Sequence, residues 1–314
     1  MTVRTALNDD RNPILVELTR GEVVESVHRG AAAVSDASGR ILFRLGDIER
    51  PVYPRSAFKM MQALPLIESG AADAFKVSPR ELALACASHS SEPFHVKAVG
   101  RWLARIGCAE GDLACGPHLP MNEKAMRALL RGRKEPTRLH NNCSGKHGGF
   151  LCTACHLGEP VEGYAGIGHP VQRRVRQAVA DLCDVDAETM PWGIDGCAAP
   201  NFALPLSRLA RGFARLADPS GLSSARAEAA SRLVKAVKAN PLYESGTGRA
   251  DAALIEAAGG GTVTKIGAEG VYSASIPALG LGIALKIDDG AGRAAETAIA
   301  ALLVRFGVLD PASE

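Results

Sequence analysis

Short apolar runs rich in β-formers sit at the two ends of the chain, and between them apolar residues recur at spacings of three and four. Near the start, Ile14-Leu-Val-Glu-Leu, Val23-Val-Glu-Ser-Val and Ile41-Leu-Phe-Arg-Leu read as strands. Asp36, Ser38 and Gly39 lie between the last two, which predicts an antiparallel connection. The middle reads as helical. Ser78-Pro79-Arg80-Glu81 is a capping box with proline at the first helical position. Further helices are predicted over 94–106, 122–131, 171–182, 205–216 and 224–238. Strands return at Thr262–Gly267, Gly270–Ser275 and Leu281–Ile287, and a last helix follows over 291–305. This order predicts an α+β body whose antiparallel sheet is completed by both termini.

The 314 residues are 46% hydrophobic and 22% charged, which is ordinary globular composition. A chain of this length buries a core without disulfide or metal staples. It reads as a single catalytic domain over 1–314, with a helical subregion at about 70–250 that could also be counted as a second domain. A net charge of +2 leaves no basic stripe for nucleic acid, and Arg131-Gly-Arg-Lys134 reads as a solvated loop or helix end. No apolar run approaches the roughly 18 residues of a membrane span. Met1 to Asn12 are largely polar or charged and lack an apolar export segment, so a cytoplasmic location is expected. There the eight cysteines are expected to be thiols or metal ligands, not disulfides.

Candidate chemistry begins at Ser56-Ala57-Phe58-Lys59, which opens an apolar helical stretch. Serine and lysine three apart share a helix face, and a lysine with a pKa depressed by burial can take a serine proton. The isolated motif also reads as an N-cap serine beside a solvated lysine. Lys265-Ile266-Gly267 lies on a late strand, and Ser-x-x-Lys with a Lys-x-Gly strand is the pairing of penicillin-recognising serine enzymes. The glycine would let substrate backbone approach the strand closely. Cys86-Ala-Ser-His-Ser-Ser-Glu-Pro93 could bring Ser88 into a cleft, or simply be a helix end of small hydrogen-bonding residues. In Asn141–Phe150, glycines beside Cys143, Lys146 and His147 suggest backbone held tightly against something. Cys197 closes a second glycine-rich segment, Trp192–Cys197. Cysteine thiolates are good zinc ligands, but on spacing alone two cysteines so far apart read as unrelated buried thiols. Cys152-Thr-Ala-Cys155 is a C-x-x-C inside a helical run, read as two packing thiols in preference to a four-thiolate site with Cys143 and Cys197.

Taken together, the chain resembles the rhizobial-type (class 3) L-asparaginases, also called the asparaginase II protein family. The segments that carry the likeness are Pro54–Lys59, Cys86–Pro93, Asn142–Gly148, Gly193–Cys197, Gly246-Thr-Gly-Arg249 and Lys265–Gly267, in that order and across roughly 11 to 307. The resemblance implies a serine β-lactamase/glutaminase-like fold and two Ser-Lys pairs, Ser56 with Lys59 and Ser88 with Lys265. It implies zinc held by Cys143, Lys146 and Cys197, with Arg55, His147 and Asp195 holding or neighbouring the substrate. It also implies a homodimer. An ammonium has no lone pair, so Lys146 would ligate zinc only as a neutral amine. A local departure from the family pattern is suspected at Ala250 and Asp251.

The expected reaction is hydrolysis of L-asparagine to L-aspartate and ammonia through a serine ester, with Lys59 as base and zinc in a positioning role. The alternatives are a glutaminase, a β-lactamase-like serine hydrolase, and a non-catalytic zinc or small-molecule binding protein. A binder would have no need of two serines and two lysines.

Overall fold

Both ends of the chain contribute to one antiparallel sheet. The computed structural model describes residues 12–312, so the polar start read over Met1 to Asn12 lies almost wholly outside the described residues. Ile14–Arg20, Val23–Asp36 and Ile41–Leu45 come from the N-terminal part, and Val263–Ile266, Val271–Ile276 and Leu281–Ile287 from the C-terminal part. Val23–Asp36 joins the two halves. It pairs with Ile14–Arg20 through its first half and with Leu281–Ile287 through its second, while Ile41–Leu45 adds to its other side. Val271–Ile276 and then Val263–Ile266 complete the sheet, the latter at the edge.

Strand periodicity sorts the two faces. Tyr272, Ala274 and Ile276, with Leu281, Ile283, Leu285 and Ile287, pack with the final helix, Gly292–Arg305. The opposite face is built from small residues, among them Ala31, Ala33, Gly282 and Ala284. The helix Leu206–Ala217 lies on it so closely that a Cβ at Gly282 would meet the Ala210 carbonyl oxygen at 2.1 Å. The sequence run at 23–27 grew into a strand of 14 residues. Its extension, Gly30-Ala-Ala-Ala-Val34, is buried on both faces, so it lacks the alternation that marks a half-exposed strand.

The helical residues between the strands follow the periodic pattern: Pro93–Arg105, Glu123–Arg131, Pro170–Cys183, Leu206–Ala217 and Ser224–Ala239. The capping box is present, with Ser78 and Glu81 each bonding the other's backbone N–H, and it starts Pro79–Ala85. The α+β class with its sheet built from both termini is therefore as expected. Among the described residues, no helix is long and apolar enough to cross a membrane.

Candidate active site

The glycine-rich stretch is helical. Ser144–Leu157 is a buried helix whose first turn carries Lys146 and His147. Its glycines are contact points: a Cβ at Gly145 would sit 2.3 Å from the Leu84 carbonyl oxygen, and one at Gly148 would press on the Trp102 ring at 3.3 Å. Close packing against Pro79–Ala85 and Pro93–Arg105 thus outweighs the poor helix propensity of glycine. The same geometry brings the loop after Pro79–Ala85 beside the new helix, and His89 N donates to the Asn142 carbonyl at 3.1 Å.

That loop, Ser88 to Ser91, is fully buried and held on several sides. Ser88 N donates to the Glu244 carbonyl at 3.0 Å and Ser90 N to the Ser245 carbonyl at 2.8 Å. The Gly246–Arg249 motif seats against it. Gly246 has φ +131° and no room for a Cβ beside Ser90, and Thr247 bonds both oxygens of the Glu92 carboxylate. Two motifs far apart in sequence are therefore one packed unit.

Lys59 is buried, and its Nζ is hydrogen-bonded to the Ala87 carbonyl at 2.6 Å and to Ser88 Oγ at 2.9 Å. Burial lowers its pKa; Lys146 and Lys265 add to the effect, while Cys143 and Cys197 oppose it. The hydrogen-bonded serine of Lys59 is thus Ser88, and not its sequence neighbour Ser56. Lys265, the expected partner of Ser88, instead lies 3.0 Å from Glu244 and 3.4 Å from Asp251. The four residues are brought to one region, with pairings different from those expected.

Ser56 lies in a single 3₁₀ turn, Arg55–Phe58, and not in a regular helix. Its hydroxyl makes no hydrogen bond among the described residues. It lines a cavity of about 260 Å³ with Arg55, His118, Cys143, Asp195 and Cys197. Arg55, at φ +54°, directs its guanidinium to Asp195 at 2.8 Å, and Asn201 supports both partners. The carboxylate is held below its usual range: burial works against this, and the Arg55 and Asn201 hydrogen bonds outweigh it. Gly267 has a different use from the one expected. Its missing Cβ would fall 2.4 Å from the Pro54 carbonyl oxygen, so the space is filled by the Ser56 turn and not by substrate.

Cys143, Lys146 and Cys197 do converge. Cys143 and Cys197 act on each other: the neighbouring sulfur and burial raise the pKa of Cys143, while Cys143, Lys146 and His147 outweigh burial and lower that of Cys197. Lys146 Nζ lies 3.1 Å from the Cys197 sulfur. Burial disfavours its charge, but Cys197 and then Cys143 outweigh burial and raise its pKa. His147 turns Nδ1 to Tyr164 Oη at 2.6 Å, an oxygen that also accepts from Ala114 N, and leaves Nε2 as its other ring nitrogen. Among the described residues, that buried Nε2 has no hydrogen-bond partner, and no group of three His, Cys, Asp or Glu side chains is arranged to hold a metal ion. Two sulfurs and one amine fit zinc with an open fourth position, provided that Cys143 and Lys146 give up their protons. The C-x-x-C cysteines are elsewhere: Cys152 packs on Ala71, and Cys155 lies 3.5 Å from Cys108. All eight cysteines are free.

Sequence reasoning missed His118, Tyr164 and Glu244. His118 fixes the pocket wall, accepting from Asn142 N at 2.7 Å. None belongs to a patterned motif, and only the tertiary contacts reveal them.

In fold, the chain is similar to Mglu in its native form, with a TM-score of 0.52 at 14% identity, over 91% of this chain and 66% of that one. It therefore spans about two thirds of the length of Mglu. A β-lactamase from Mycobacterium bovis (14% identity, 88% and 94% covered, TM-score 0.42) and simvastatin synthase from Aspergillus terreus (11%, 88% and 93%, 0.42) are also similar. No curated protein matches the sequence. With its helices and antiparallel sheet, the chain shares the α+β fold of Mglu. Residues 16–314 match the model of the L-asparaginase II family, and the chain belongs to that family. That membership supports an amidohydrolase acting on an amide substrate.

Proposed function

We propose that this protein hydrolyses L-asparagine to L-aspartate and ammonia through an ester on Ser56. The observation that carries the reading is Lys59: a buried amine with no carboxylate partner among the described residues, hydrogen-bonded to Ser88 and three residues from a serine hydroxyl that faces the cavity. An amine so placed is the group in this site best able to be neutral near pH 7.

Lys59 Nζ takes the Ser56 hydroxyl proton as Oγ bonds the side-chain amide carbon. The tetrahedral species collapses, the C–N bond breaks, and ammonia leaves with the proton returned by Lys59. Water then gives a proton to Lys59 and attacks the ester carbon, and Ser56 leaves with that proton restored. Ser88 holds the Lys59 amine in place and relays protons. Arg55 suits the substrate α-carboxylate and Asp195 its α-ammonium. Cys143, Lys146 and Cys197 would hold zinc at the cavity wall, where the ion would supply a Lewis-acid contact for orienting a substrate oxygen. Discrimination against glutamine, one methylene longer, is set by the fit of the cavity and is typically about 1–3 kcal/mol.

The test is ammonia release from asparagine and from glutamine by wild-type protein and by Ser56→Ala, with nitrocefin as a control substrate. Asparagine turnover that disappears in the variant supports the reading; nitrocefin turnover without ammonia release overturns it. Mass spectrometry after an electrophilic asparagine analogue locates the adduct. An adduct on Ser88 overturns the nucleophile assignment.

A further inference from the structure

Behind the cavity lies a buried charge cluster that the mechanism above leaves unused. Lys265, Glu244 and Asp251 have fully buried side chains, yet they combine one ammonium with two carboxyl groups. One carboxylate suffices to neutralise one buried cation, so the second needs a reason. Each carboxyl residue also has another task. Asp251 accepts from Ile266 N at 3.1 Å and from Thr264 Oγ1 at 3.0 Å, which caps the edge strand on both sides of Lys265. Glu244 receives Ser88 N on its backbone carbonyl while its carboxylate faces Lys265. Neither Glu244 carboxylate oxygen has a directed hydrogen bond among the described residues, so the ion pair is the main polar contact of that group.

We propose that Glu244 and Asp251 are positioning residues that hold Lys265 as a fixed cation and tie it to the backbone of Ser88, leaving Lys59 as the one base of the site. This rests on the serine-lysine reading given above. Burial acts to lower the Lys265 pKa, but Glu244 and then Asp251 outweigh it and raise it. Burial pushes Glu244 up to about 8, with Lys265 pulling it back and Asp251 adding to the rise. The suspected departure at Asp251 gains a role here as the second anchor of the cation.

The experiment is a set of full-length variants: Glu244→Gln, Glu244→Asp, Lys265→Met, and Glu244→Gln combined with Lys265→Met. Amide turnover and thermal unfolding are measured for each. Glu244→Gln is expected to lower kcat at least tenfold with KM within twofold, and Glu244→Asp to restore part of the loss. Lys265→Met leaves two carboxyls facing each other, so adding Glu244→Gln is expected to raise its melting temperature. That stability cycle needs no turnover, so it still decides the matter if the wild type releases no ammonia, an outcome that would sink only the proposed reaction. Additive losses in the stability cycle, or full kcat in Glu244→Gln, would overturn the proposal.

Discussion

Gly267→Ala tests the packing that places the proposed nucleophile. The added Cβ would fall 2.4 Å from the Pro54 carbonyl oxygen, 3.1 Å from Ala57 N and 3.2 Å from Ala57 Cβ. The first two are backbone atoms, so no side chain can swing away to make room. A carbon and a carbonyl oxygen rest at about 3.3 Å or more even in close backbone contacts, so strand and turn must separate by roughly 1 Å. Overpacking of this kind typically costs about 1–3 kcal/mol of stability. The displacement falls on the turn that carries Ser56, and an error of about 1 Å in a reacting group can cost about a hundredfold in rate. Urea unfolding and ammonia release, measured on the same preparation, check both numbers. The reasoning fails if the alanine variant keeps wild-type stability and turns over asparagine within twofold of wild type.

Further expectations follow from the other contacts. Lys59→Met should lower asparagine turnover by about a hundred- to ten-thousand-fold while the protein stays folded, as circular dichroism would show. Asp195→Asn removes the charged partner of Arg55 and should raise KM about tenfold or more with a smaller change in kcat, read from steady-state kinetics. His95 is buried, donates to the Leu242 carbonyl at 2.8 Å and accepts from Glu92 N at 3.2 Å, and burial pushes its pKa down to about 4. The folded state then binds fewer protons than the unfolded one between the ordinary value of 6.5 and about 4. Stability from this group is therefore present above that window and is lost as the pH falls through it. At about 1.4 kcal/mol per unit the loss approaches ~3 kcal/mol, and His95→Gln should flatten the pH dependence of denaturant unfolding over that range.

Most of the secondary structure was legible because its signals are local. The Ser78–Glu81 box, the apolar spacing of Leu206–Ala217 and the turn at Asp36 to Gly39 each act within a few residues. The start of Ser144–Leu157 was not legible, since its glycines oppose a helix until Leu84 and Trp102 are in place. The candidate residues were chosen by their motifs, and their contacts in the fold were not legible. Spacing put Ser56 with Lys59, but the extended loop at Ser88 carries its hydroxyl to the same amine. Lys265 turned to Glu244, whose carboxylate belongs to no sequence pattern. Likewise, the glycine after Lys265 makes room for protein, a use that depends on the course of a loop more than 200 residues away.

The order of strands has a consequence for how the molecule is made. Ala33 faces Ala284 across the sheet, so the central pairing joins residues about 250 apart. During synthesis, the inner edge of Val23–Asp36 must wait, unpaired, while the whole helical segment emerges. Such non-local closure slows folding and leaves an open strand edge on which copies of the chain can aggregate. Overproduction that outpaces chaperone supply should therefore yield inclusion bodies seeded by that edge, and slower synthesis should recover soluble protein.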